Sequence, residues 1–222
     1  MSQKQSQSAI NLQIFNVISL IMPGAPIKDD IFEKIESLYS FAIEKILTSE
    51  AKQFKISSTR HDVLKNYNFD IEDKGDSMNV NTFIKKLATA IPTETLRLQS
   101  LYCVLKEINN AKSAYVDMHN IEDLHSYYFI KSKRFSDAIK KLPVYLVSEL
   151  SHYEKISNLT RFAIMVFGEY LIAEIFDVST AHYRSKFKEN LDNPQLDLKL
   201  KDIEIAIKKD EELSAFFNDY KF

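Results

Sequence analysis

Apolar residues recur at helical spacing along most of the chain. Between residues 28 and 50, Ile31, Ile35, Leu38 and Ile46 fall on one face of an α-helix. Pro92 is expected at the first position of another helix, where its missing N–H is tolerated. A polar stretch at 68–79 predicts the main loop. The same periodicity predicts longer helices at 9–22, 79–91, 92–112 and 120–128, and short ones at 57–67, 135–142 and 143–150.

The longest apolar pattern runs from residue 158 to about residue 188. Its apolar positions form one broad face and then spread around the cylinder, which is typical of a helix enclosed by others. After Asn193-Pro194, a final helix carries Leu200, Ile203 and Ile207 and runs into aromatic residues. These elements predict an all-α fold, a compact bundle of about seven to nine helices with a buried central helix near 158–188.

The composition agrees with a helical protein. The chain has 222 residues but only 3 glycines, and β-hairpins and bulges depend on glycine. Hydrophobic residues make up 45% and charged residues 27%, as in an average globular domain. We therefore predict one helical domain over residues 1–222, and a peripheral C-terminal helix at 195–222 stays open as an alternative.

The charge and the cysteine content indicate which partners and which compartment to expect. The formal net charge of −2 provides no overall field to hold a polyanion. A single cysteine, Cys103, excludes an intramolecular disulfide and is interpreted as a small core residue. Polar side chains interrupt residues 9–22 at helical spacing, which favours an amphipathic helix over a signal peptide. We expect a soluble, cytoplasmic protein without a membrane span.

Two Glu-x-x-His units form the one pattern in the sequence whose residue types and spacing suit metal ligands. Glu122 and His125, like Glu149 and His152, are three residues apart and would share a helix face, as in di-iron four-helix bundles. The chain departs from that pattern, because only a short segment broken by Pro143 separates the two units. A metal-dependent helical oxidoreductase using iron, manganese or zinc is therefore kept as the alternative function.

Two carboxylates lie within the apolar central helix. Glu169 and Glu174 must there be ion-paired, protonated or functional. We favour an ion pair with a basic residue of a neighbouring helix, such as Arg161 or Arg97.

The acidic loop invites comparison with a calcium-binding loop. Asp70 and Gly75 stand at the first and sixth positions of a twelve-residue EF-hand loop, but Lys74 and Asn81 occupy the fifth and twelfth positions. A carbonyl-type ligand and a bidentate glutamate are needed there. We therefore do not expect a functional EF-hand.

A basic stretch with neighbouring aromatic residues offers a second alternative function. Such a mixture can hold nucleic acid, although amphipathic helices show the same alternation. The basic residues are Lys131, Lys133, Arg134, Lys140 and Lys141, and the aromatic ones are Tyr127, Tyr128, Phe129 and Phe135.

The final aromatic cluster comprises Phe216, Phe217, Tyr220 and Phe222. We favour docking on the body, because exposed aromatic clusters are uncommon on monomers. The alternative is a partner-binding site made of Phe216, Phe217 and Tyr220, whose replacement by alanine is expected to abolish association.

Catalytic signatures are missing from the chain. It contains no Gly-x-x-x-x-Gly-Lys loop, no Gly-x-Ser-x-Gly and no His-Glu-x-x-His. An enzyme is left open, but we favour a non-catalytic interaction or regulatory protein that contacts another protein or a second copy of itself.

Overall fold

The structure is a computed structural model that describes residues 28–54, 71, 73, 78–120, 123, 124, 127, 156–186 and 197–222. Of these residues, 75% are helical, and they contain no β-strand. The all-α prediction is confirmed for this part of the chain. Six helices lie in this described part, so the expected seven to nine are not confirmed. The predicted helices at 9–22, 57–67, 135–142 and 143–150 lie outside the described residues.

Three of the six helices come before residue 120 and three after residue 157. The predicted helices at 28–50, 79–91 and 158–188 are confirmed to within a few residues. In chain order the six are α1 (Asp29–Thr48), α2 (Val80–Ala90), α3 (Glu94–Ser113), α4 (Asn158–Lys186), α5 (Leu200–Lys209) and α6 (Glu211–Phe216).

Two helix boundaries differ from the prediction. Pro92 precedes Thr93, the N-cap of α3, rather than occupying the first helical position. The final helix is split at Asp210, whose Oδ1 accepts hydrogen bonds from the backbone N–H groups of Glu212 (3.1 Å) and Leu213 (2.8 Å). An aspartate that satisfies these N–H groups starts a new helix. The capping aspartate therefore divides the single helix that the continuous apolar pattern predicts.

Helix α4 is the centre of the core, as predicted. It packs against α1, α2, α3 and α5, and its apolar residues are buried on most sides. Helices α5 and α6 contribute to the same core through Ile203, Ile207, Leu213 and Phe216. The fully buried side chains of α4 include Leu159, Phe162, Ala163, Ile164, Phe167, Leu171, Ile172 and Phe176.

A glycine permits a close approach of α1 to α4. A Cβ atom added to Gly168 would lie 2.5 Å from Cζ of Tyr39 and closer still to its Oη and Cε2. The Tyr39 ring is 1% exposed, and its hydroxyl donates to the carbonyl of Ile164 at 3.4 Å. The aromatic ring therefore occupies the volume of the missing side chain.

The C-terminus of α3 closes with a strained tyrosine. Tyr115 has φ +59°; its N–H donates to the carbonyl of Lys112, and that of Val116 to the carbonyl of Ala111, both at 3.1 Å. This is the Schellman pattern, in which glycine usually fills the left-handed position. The Tyr115 side chain is 97% exposed, so packing against the described residues does little to offset this conformation.

Every helix in the described part of the chain is too short or too polar to cross a lipid bilayer.

Candidate functional site

Both alternative functions rest on residues that fall outside the described part of the chain. This applies to Glu122, His125, Glu149 and His152, and to the basic stretch at 131–141. Among the residues that are described, His, Cys, Asp and Glu side chains nowhere gather in a group of three or more that could hold a metal ion. The two hypotheses therefore stay as predictions.

The described part of the acidic loop has a structural role. Asp73 Oδ2 accepts hydrogen bonds from the Val80 N–H at 2.7 Å and the Ser157 hydroxyl at 2.6 Å. The Asn81 amide pairs with the backbone of Ile71, donating to its carbonyl and accepting from its N–H. Asp73 thus links the start of α2 to the start of α4, and the twelfth loop position is used for a backbone pairing.

Glu174 of α4 faces carboxylates. Burial raises the pKa of Glu174, and the nearby Asp177, Asp210 and Glu212 raise it further, against a lowering hydrogen bond with Tyr170. The charged groups that shift its pKa are therefore acids rather than the expected arginine. Glu169 helps to raise the pKa of Tyr39, for which burial is the larger cause.

Cys103 lies on α3 near this acidic corner. It is partly buried against the core, and burial raises the pKa of its thiol to about 11. A thiol with this pKa stays protonated at neutral pH and is a poor nucleophile. The interpretation as a structural residue is consistent with this environment.

The aromatic cluster is docked on the body. Phe216 and Phe217 are 0% and 1% exposed, so alanine at either position would remove core side chains. Tyr220 and Phe222 are part-buried and pack edge-on to each other, with ring centroids 5.0 Å apart. Surface roles in binding are therefore open to Tyr220 and Phe222, which belong to what we call the C-terminal segment, residues 217–222.

One face of α1 receives the C-terminal segment. Lys34, Ser37, Phe41 and Lys45, which we call the α1 strip, are spaced by three or four residues and so align on the helix. The Phe41 ring packs edge-on against Tyr220, with centroids 5.3 Å apart. The Ser37 and Tyr220 hydroxyls are 2.8 Å apart. The strip borders the core-facing side of α1, because Phe41 also packs against the core.

Lys45 binds the end of α6. Its Nζ donates to the Phe216 carbonyl at 2.8 Å, to Asn218 Oδ1 at 2.9 Å and to Asp219 Oδ2 at 3.2 Å. A lysine at this position satisfies a free carbonyl and complements the helix dipole. The same ammonium lies 5.8 Å from the centroid of the Phe41 ring.

Lys34 lies between two aromatic rings and a carboxylate. Its Nζ is 5.0 Å from the Tyr220 centroid, 5.2 Å from the Phe222 centroid and 2.9 Å from Glu204 Oε1. Lys208 of α5 approaches Phe222 to 4.8 Å. These distances are typical of cation–π contacts. The corner between α1, α5 and the C-terminal segment is thus an aromatic cluster clamped by three lysines.

Sequence reasoning identified the aromatic residues of this corner but missed the α1 strip. The strip residues lie on the polar side of an amphipathic pattern, where lysine and serine are ordinary. The one available signal was Phe41, an aromatic residue outside the core face, flanked by lysines at helical spacing. We take this corner as the candidate functional site.

No protein-family model and no curated protein sequence matches this chain.

Proposed function

We propose that this chain is a non-catalytic helical protein that acts through protein–protein contacts, and that Tyr220 and Phe222 of the C-terminal segment form the contact. One observation supports the proposal: the part-exposed aromatic rings of Tyr220 and Phe222 lie together at the surface, in contact with lysines. Tyrosine and phenylalanine are enriched in the buried centres of protein interfaces. Because each ring has only two side-chain torsions, ordering it on binding costs little entropy.

The burial of each aromatic side chain decides which residues can be replaced in the test. Phe216 and Phe217 must be kept, since a buried phenylalanine replaced by alanine costs about 3 to 5 kcal/mol and could unfold the body. The informative variant is therefore Tyr220→Ala with Phe222→Ala. Its matched control is Tyr115→Ala, which removes a 97% exposed aromatic side chain elsewhere.

The partner is first captured by a photo-reactive benzoylphenylalanine at position 222 of the full chain, with the same group at position 115 for comparison. The captured protein is then purified and its affinity for the unmodified chain is measured. Sedimentation velocity over a concentration series tests whether the partner is a second copy.

We expect Tyr220→Ala/Phe222→Ala to bind the purified partner at least about tenfold more weakly than the parent, since a hot-spot aromatic contributes more than about 1.4 kcal/mol. Tyr115→Ala should bind as the parent does. Equal affinity of parent and double variant would contradict the proposal.

A further inference from the structure

Beyond Phe217, the C-terminal segment is held by charge and edge contacts rather than by deep burial. Phe217 is 1% exposed, whereas Asn218, Asp219 and Lys221 are exposed and Tyr220 and Phe222 are part-buried. The Asp219 side chain, which pairs with Lys45, is 70% exposed. An ion pair with an exposed carboxylate shifts an equilibrium by about fivefold or less, and a cation–π contact shifts it by about fivefold at an exposed site and about thirtyfold when desolvated. None of residues 218–222 is buried, so this part of the segment depends on those contacts, whereas Phe217 is anchored in the core.

The contacts that hold the segment use the surfaces that a partner would need. Lys34 lies over the rings of both Tyr220 and Phe222, and Lys208 lies over Phe222. On the α1 side, the Phe41 ring packs edge-on against Tyr220, and the Ser37 hydroxyl is hydrogen-bonded to the Tyr220 hydroxyl. In this arrangement, groups of the chain itself contact the ring faces of Tyr220 and Phe222 and the hydroxyl of Tyr220, which the proposed contact would use.

We infer that the α1 strip is an intramolecular binding site that masks Tyr220 and Phe222, and that the partner is a protein surface presenting lysines around an aromatic side chain, as the strip does. The inference rests on the proposed function, in which these two rings make the contact. The C-terminal segment then acts as a releasable clasp: the partner gains access when residues 218–222 leave the strip.

The arrangement of charges indicates which residues control release. Lys34 contacts Tyr220, Phe222 and Glu204 and has a side chain only 14% exposed. Lys45 also binds the Phe216 carbonyl and so supports α6 itself. Lys34 is therefore the better residue to change, because its loss loosens the clasp and leaves the end of α6 intact.

A tryptophan reporter can measure release without any partner. The chain contains no tryptophan, so Tyr220→Trp places a single reporter against Phe41 and Lys34. A second reporter chain carries Phe222→Trp, in case the larger ring at position 220 itself disturbs the contact. Quenching by acrylamide, a neutral molecule, reports the accessibility of the indole independently of charge.

The lysine contribution is tested with Lys34→Met, which keeps the aliphatic stem and removes the ammonium. Lys106→Met is the matched control, because Lys106 lies 5.5 Å from the centroid of the Tyr102 ring on α3 and does not touch the clasp. Circular dichroism verifies that each variant keeps its helix content. As a second perturbation, the salt concentration is raised in the reporter chain that has no other change.

We expect the quenching constant to rise at least about twofold with Lys34→Met and to stay unchanged with Lys106→Met. Salt should act in the same direction, since the screening length falls from about 10 Å at 0.1 M to about 3 Å at 1 M. A reporter that is already as accessible as free tryptophan would overturn the clasp. So would a protected reporter that responds neither to Lys34→Met nor to salt.

The purified partner then separates this inference from the proposed function. Lys34→Met should bind the partner more tightly than the parent, because less of the chain is closed, while Tyr220→Ala/Phe222→Ala should bind it more weakly. Weaker binding by both variants would overturn the masking role and leave the proposed contact in place. A dimer of the parent chain in sedimentation velocity that is lost in Tyr220→Ala/Phe222→Ala would indicate that the partner is a second copy of the chain.

Discussion

Replacing Gly168 by alanine should destabilise the protein, although alanine is the better helix former. Gly168 lies inside α4, where alanine would ordinarily gain about 1 kcal/mol of stability. The added methyl group, however, would lie 2.5 Å from Cζ of Tyr39 and closer still to its Cε2 and its hydroxyl oxygen. Carbon atoms in contact sit about 3.5 to 4.0 Å apart, so the ring must retreat by about 1 Å.

The surroundings of Tyr39 leave it no easy retreat. The ring is 1% exposed and its hydroxyl is hydrogen-bonded to Ile164. Overpacking a core costs about 1 to 3 kcal/mol, and collision with three side-chain atoms of Tyr39 places this site at the upper end. Set against the helix gain, the net loss is about 2 kcal/mol. In a chain of this length the melting temperature should fall by roughly 4 to 8 °C.

Urea and thermal unfolding followed by circular dichroism would measure this loss. Ala181→Gly, at an exposed position of the same helix, calibrates the propensity term and should cost about 1 kcal/mol. Tyr39→Leu should reduce the penalty of Gly168→Ala more than Tyr39→Phe does, because phenylalanine removes the contact with the hydroxyl oxygen but keeps the two colliding ring carbons. A Gly168→Ala variant that is more stable than the parent would refute the reasoning.

Three further predictions concern single residues. Tyr115→Gly should stabilise the fold by about 1 kcal/mol in urea unfolding, because glycine adopts positive φ without strain, and Tyr115→Ala should lack this gain. Asp202→Ala should cost about 1 kcal/mol at pH 7, since Asp202 Oδ1 accepts from Lys186 Nζ at 2.8 Å and Oδ2 from the Lys199 N–H at 3.3 Å. Burial raises the pKa of Asp202, but these hydrogen bonds outweigh burial and leave the pKa lowered. The cost of Asp202→Ala should therefore vanish as the pH falls through that pKa. A cost that does not change with pH would contradict this assignment. Glu174→Gln should stabilise the protein by about 0.5 kcal/mol at pH 7, because burial and three carboxylates raise the pKa of Glu174. Thermal melts should show that this gain disappears in acid, where the Glu174 carboxyl of the parent is protonated.

The candidate site was only half predictable. Phe216, Phe217 and Tyr220 stand out in the sequence because aromatic residues cluster there, and docking on the body was the favoured interpretation. Which rings are buried could not be predicted, because the break at Asp210 sets the rotation of α6 and directs Phe216 and Phe217 into the core. The complementary lysines of α1 are more than 170 residues away in sequence, and no local pattern links positions so distant.

By itself, the sequence determined the helical class and the course of α1, α2 and α4, because a 3.6-residue apolar period is a local property that each segment carries alone. The tertiary structure decided where these segments approach one another. It placed the Tyr39 ring over Gly168, brought Asp210 and Glu212 near enough to Glu174 to raise its pKa, and brought Lys34 and Lys45 to the C-terminal segment. Such pairings depend on the packing of whole helices, and the free energy that selects them is a sum over many distant contacts.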